Sequence, residues 1–160
     1  MAFICVLNDE KGWGDLLETE AKVSVNTVIG YDDETDHVYH LYVSFDRQNT
    51  GYFEPSFYIQ EFDEKDEPVY EYFHSTETKS FLDRESRRRV LANVLAMIRT
   101  ILGRHKFDTC IFYSMDVHLP PEALLKYTYV SAIFFSFGYI GEYMTTSDGQ
   151  HIWKFLRAPL

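Results

Sequence analysis

Cysteine is scarce. Cys5 and Cys110 are the only two in 160 residues, which excludes a disulfide framework and a cysteine-based zinc site. Cys110 lies in the apolar run 107–113 and reads as a buried thiol. Cations are scarce in the first half. Residues 1–80 carry five Lys and Arg against 18 Asp and Glu, whereas residues 81–160 carry ten against seven, and the formal net charge is −10. A broad nucleic-acid surface needs clustered cations, so no nucleic-acid partner is expected. Long apolar runs are missing too. The stretch 123–137 is too short for a bilayer span and ends at Gly138, so no membrane partner is expected. The start, residues 1–8, is apolar but short, lacks a basic lead and is followed by Asp9 and Glu10. It does not read as a secretory leader, and a cytoplasmic protein is the expectation.

What is present points to one globular domain. Hydrophobic residues at 46% with 25% charged set the chain apart from disordered sequences. Its length suits one core, with residues 1–160 read as a single domain. Aromatics reach 17%, which favours strands and burial over a dedicated ligand cage.

Periodicity then divides the chain. Residues 1–20 show no clear period, and Trp13 with Leu16 and Leu17 suggests a short helix packed on the body. Residues 22–30 alternate, with Val23, Val25, Thr27 and Ile29 on one face, and residues 38–45 resume the pattern after an acidic turn, forming a hairpin. Residues 53–62 read as a third strand and 69–73 as a fourth or a continuation. Val90, Leu91, Val94, Leu95, Ile98, Ile101 and Leu102 predict a helix over 83–104, with Asp83 as its N-cap and Gly103 marking its end. Residues 107–113 form a short strand. Pro120 and Pro121 open a second helix running to about 137, apolar on nearly every side and therefore expected to be deeply buried, with Gly138 at its cap. Residues 139–146 and 151–156 flank a Ser-Asp-Gly-Gln turn and read as a closing hairpin.

Several side-chain groups invite chemistry. Arg84, Arg87, Arg88 and Arg89 crowd the start of the long helix. Three consecutive arginines point in different directions, but Arg84 and Arg88 share a face and are the candidate anion-binding pair. The competing reading is a solvated, ion-paired helix face. His37 and His40 fall on opposite faces of a strand and lack ligand spacing, so no metal is expected. His74, with Glu71 near, reads as a surface-loop histidine. Ser114, Asp116 and His118 follow the central strand but lack nucleophile-elbow glycines, so a strand-to-helix loop is the simpler account. The acidic stretch 61–71 lacks the glycine of a calcium loop and reads as a solvated turn, or as a surface for a basic partner. No catalytic residue is assigned.

The order of elements over residues 22–157 resembles the GNAT superfamily, the acyl-CoA-dependent N-acyltransferase fold. The most specific local match is Ala132-Ile133-Phe134-Phe135-Ser136-Phe137-Gly138-Tyr139. It is similar to the family's helix end, where an alanine is followed by a tyrosine and a Gly-Phe turn. The resemblance implies an α+β fold with a mixed, mostly antiparallel sheet flanked by helices. It also implies acyl-CoA as a possible cofactor, its pyrophosphate held by backbone N–H groups of a glycine-rich loop at the start of the long helix. Arg84 and Arg88 are then the candidate cofactor-binding residues. The matching stretch, 74–89, contains no glycine, and none occurs between Gly51 and Gly103. The family's general acid is often a tyrosine four residues before the Gly-Phe turn, and Phe134 stands there. The expected function is therefore a divergent or noncatalytic GNAT-like protein that binds a small molecule or a protein partner. The alternatives are an active acyl-CoA-dependent N-acyltransferase and an acidic protein that neutralises a basic partner.

Overall fold

The computed structural model describes residues 3–7, 16–114 and 119–159. It is a mixed α+β structure with nine strands in one sheet and three helices among the described residues. In chain order these are β1 (Phe3–Cys5), β2 (Leu16–Glu18), β3 (Lys22–Asp32), β4 (Val38–Arg47), β5 (Phe53–Phe62), β6 (Pro68–Tyr72), α1 (Ser75–Thr78), α2 (Arg84–Arg104), β7 (Thr109–Tyr113), α3 (Pro121–Ser136), β8 (Tyr139–Thr145) and β9 (His151–Arg157). The sheet runs β1-β3-β4-β5-β7-β9-β8, with β2 also on β3 and β6 also on β5. All these pairings are antiparallel except β5 with β7.

The alternation in β3 to β5 decides which face is buried. Tyr39, Leu41, Val43 and Phe45 sit opposite Glu61, Ile59, Phe57 and Pro55, so period 2 sends them all to one face. The next positions, Tyr42 opposite Tyr58 and Ser44 opposite Ser56, fall on the other and are mostly polar, as suits an antiparallel sheet with its core on one side. Both long helices join the core on the first face. Val94, Met97, Ile98 and Ile101 of α2 and Val130, Ile133 and Phe134 of α3 are buried there with the strands. Phe134 stacks 4.3 Å from Phe155 of β9 and 6.2 Å from Phe45 of β4, which locks α3 across the sheet.

The helix ends follow from local chemistry. Asp83 caps α2, its Oδ1 accepting from Ser86 N at 2.7 Å, and so satisfies one of the orphan donors of the first turn. Gly103 does not end this helix. The helix runs on to Arg104, and His105 N donates to Ile101 O at 2.8 Å as the cap. Pro121 opens α3, and Gly138 follows it at φ 86°, a left-handed position that suits glycine. Tyr139 then ties β8 to the segment before β7: its hydroxyl accepts from Phe107 N at 3.1 Å and donates to Phe107 O at 2.9 Å.

Two further expectations are corrected. Leu16 and Leu17 lie in β2, paired with Val25 and Ser24 of β3, because the open edge of a long strand offers three residues more hydrogen bonds than an isolated turn of helix. Trp13 lies outside the described residues. Second, α3 is not buried all round. Tyr127, Val130, Ile133 and Phe134 are buried, but Leu125, Tyr129 and Phe135 are about half exposed. One layer of helices covers this face, so its outer side meets solvent whatever its sequence.

Candidate functional site

The parting of β5 from β7 shapes the site. β4 occupies one edge of β5 along its whole length. The other edge meets β7 at a single parallel bridge, Phe53 with Cys110, and meets β6 from Ile59 onward. Residues 54–58 of that edge therefore face no strand, and two cavities open there. The larger, about 500 Å³, lies between β5, β6 and the starts of α2 and α3. Leu41, Ile59, Val90 and Val94 form part of its apolar wall, while His74, Lys79, Arg87 and Lys126 supply polar groups. The smaller, about 330 Å³, is lined by Asp46, Glu54 and Ser56, by Phe112 and Tyr113 of β7, and by Tyr127 of α3. Phe57, Phe73 and Lys126 line both, so the cavities adjoin across the gap. Lys126 Nζ stands 5.5 Å from the Phe57 ring and 5.0 Å from the Tyr127 ring, within cation–π range.

The smaller cavity holds an unfavourable charge pair. Asp46 and Glu54 are direct cross-strand partners, an arrangement that costs stability when both are ionised. Asp46 has company: Ser44 Oγ donates to it at 2.7 Å and Lys22 Nζ stands 3.7 Å away. Burial, and then the charge of Asp46, raise the Glu54 carboxyl above the ordinary range. Nearby, a hydrogen bond with Tyr113, followed by burial, pushes the Tyr52 phenol up to about 12.

The start of α2 is closed by its own side chain. The hydrogen bond from Ser86 N holds the Asp83 carboxyl below its usual range, so a carboxylate already occupies the helix N-terminus. Arg88 donates to Glu85 through Nε at 3.2 Å and Nη2 at 2.7 Å. Arg89 reaches Glu85 Oε1 at 3.3 Å and Leu7 O at 3.3 Å. The structure thus places Arg88 in an exposed ion pair and Arg84 exposed on the first turn. Arg87 is the arginine on the larger cavity. The sequence held the signal: Arg87, Val90, Leu91 and Val94 follow i, i+3, i+4, i+7, so Arg87 heads the apolar stripe.

His74 is half-buried on the larger cavity rather than on an open loop surface. A second cluster was not anticipated. Glu61 is buried at 8% exposure. Its Oε1 lies 2.5 Å from His37 Nδ1, and its Oε2 accepts from Tyr72 Oη at 2.6 Å. The hydrogen bond to Glu61 raises the His37 pKa. Burial, and then the Glu61 charge, raise the Tyr39 phenol. Glu61 thus belongs to the interior and not to the solvated part of the stretch, which is residues 64–71.

The remaining candidates have structural partners. Ser114 is buried, and its Oγ accepts from His151 N at 3.0 Å. Asp116 and His118 lie outside the described residues. Phe134 is fully buried. Cys110 is buried as expected, and burial pushes its thiol pKa up. Among the described residues, no three His, Cys, Asp or Glu side chains are grouped to hold a metal ion, and no helix is long and apolar enough to cross a membrane.

No family model matches the chain, and neither a curated protein nor a solved structure matches it. Its class is defined by the mixed, mostly antiparallel sheet and by the two cavities where that sheet parts.

Proposed function

We propose that the chain is a divergent GNAT-like protein that binds a small molecule across the parting of β5 and β7. The observation that carries this reading is the pair of adjoining cavities beside a parallel strand pair joined by one bridge. Concave, mostly apolar sites with a few converging polar groups are the usual ligand pockets. The strand order supports the GNAT resemblance. The closed start of α2 and the core role of Phe134 support divergence from that family's coenzyme site and general acid. With two free cysteines, a cytoplasmic location belongs to the same proposal.

The active N-acyltransferase is the second reading, and Glu54 favours it. A carboxyl with a raised pKa on the smaller cavity suits a base that accepts a proton from an ammonium group. In that reading the acyl donor occupies the larger cavity and the amine the carboxylate-lined one.

A thermal-shift titration with coenzyme A and acetyl-CoA tests the donor. Ligand at one hundred times its dissociation constant adds about 2.7 kcal/mol, roughly 5–10 °C for a domain of this size. A saturable shift supports the acyltransferase reading and makes assay of amine acceptors the next step. A flat response to millimolar ligand removes coenzyme A from the site and leaves the noncatalytic binder.

A further inference from the structure

We infer that the larger cavity takes a ligand with a long apolar body and a single carboxylate head, a fatty-acid-like anion, in preference to a nucleotide. The inference rests on the reading of this cavity as a ligand site. It adds the class of ligand, which the cavity's own charges decide.

The apolar body follows from the walls. Leu41 and Ile59 come from the sheet, Val90, Leu91 and Val94 from α2, and Leu119 from the entry to α3. A volume of about 500 Å³ falls within the range of small-molecule sites. Burying a chain against such walls contributes about 0.8 kcal/mol per methylene.

The head follows from the rim. Lys79, Arg87 and Lys126 line the cavity against one carboxylate, Glu122. This local excess of cations stands in a chain of net charge −10, so it is a feature of the site and not of the surface as a whole. Arg87 Nη1 donates to Leu82 O at 2.8 Å, which fixes the guanidinium at the head of the apolar stripe. Its Nε and Nη2 donate to no described protein atom, and a guanidinium matches a carboxylate geometrically. Lys79 is exposed on the same rim.

Exclusion of a nucleotide follows from α2. A diphosphate is normally drawn to a helix start by open N–H groups. Here Ser86 N is taken by Asp83 Oδ1, and the ionised Asp83 repels a second anion at that point. A single carboxylate held by the Arg87 side chain needs no N–H group of the helix start, whereas a diphosphate that uses those groups meets the Asp83 carboxylate there.

Isothermal titration with sodium dodecanoate, dodecanol and coenzyme A tests the inference, with both lipids below their aggregation limits. Saturable one-to-one binding of dodecanoate is expected, with dodecanol at least about tenfold weaker, the scale of one charge-assisted hydrogen bond. Arg87→Gln and Lys79→Gln should each weaken dodecanoate while leaving dodecanol unchanged, and Ala123→Trp, which fills the cavity, should weaken both. Lys79 is exposed, so K79Q keeps the test decisive if R87Q fails to fold. Equal binding of acid and alcohol, or a preference that survives both charge variants, overturns the carboxylate head. Binding of coenzyme A without dodecanoate overturns the inference but keeps the ligand site. Binding of none of the three overturns both.

Discussion

Glu61 and His37 form a partly buried contact, Oε1 to Nδ1 at 2.5 Å, between the next-to-last residue of β5 and the residue that leads into β4. Tyr72 of β6 bonds to the other oxygen of the same carboxylate. Since Tyr72 also lines the larger cavity, Glu61 joins the β3–β4 turn to one wall of the candidate site.

Replacing Glu61 with alanine should therefore destabilise the fold by about 1–3 kcal/mol, the loss expected when hydrogen bonds to a buried charge are removed. The effect depends on pH through His37. Its folded pKa is raised above the ordinary 6.5, so the stabilisation is complete below that value and is lost as pH rises through the folded pKa. Urea midpoints of wild type and E61A should differ most near pH 6 and converge partly in alkaline buffer. A gap independent of pH would remove the His37 charge from the account.

Placing a tyrosine at position 134 should cost stability. Phe134 has no exposed surface and is stacked on Phe155 at an interplanar angle of 12°. A hydroxyl added there is buried without a designated partner, which costs about 1–3 kcal/mol. Phe134→Tyr should lower the urea midpoint at unchanged m-value. A neutral or stabilised variant would mean that the hydroxyl reaches solvent or a partner, and would reopen position 134 as a functional one.

These two residues also mark what the sequence could disclose. The hairpin of β3 and β4, the span of α2 and the turn at Gly149 were legible because each rests on a local signal: alternation, a helical stripe, a positive φ at glycine. The Glu61 cluster was not. His37 and Glu61 are 24 positions apart, and only the register that sets Tyr39 opposite Glu61 brings them together. The clue was that Glu61 continues the apolar phase of Phe57 and Ile59. The adjoining cavities were still less accessible, because the single bridge between β5 and β7 is a property of the sheet and not of either strand. The short strands β1 and β2 depend on the edge of β3 for their pairing and carry no period of their own.

Gly30 should tolerate no side chain. A Cβ there would stand 2.3 Å from Ile4 O and 2.4 Å from the Phe3 ring, so alanine must push β1 away from β3. On its other edge the β3–β4 register shifts between Val28 and Gly30, an irregularity that often accompanies glycine within a strand. Gly30→Ala should cost about 1–3 kcal/mol and raise hydrogen exchange at residues 3–5 well above that of β4. A variant with wild-type stability and protected β1 amides would show that the strand moves without loss.

Glu54→Gln should act in the opposite direction and stabilise the protein. Glu54 faces Asp46 across β4 and β5, and removal of like charges placed directly opposite gains from a few tenths to about 1 kcal/mol. Because the Glu54 pKa is raised above 4.5 in the fold, wild type carries no such penalty below that value and acquires it as pH rises through the folded pKa. The melting-temperature gain of E54Q should be present at pH 8 and close at pH 4. A gain equal at both would trace to packing instead. A charge kept at a stability cost beside a cavity is the pattern of a functional group, since stabilising changes often lose activity where the native site is strained. The same variant should therefore lose any acyl transfer detected in wild type, and retention of full turnover would exclude Glu54 as the base.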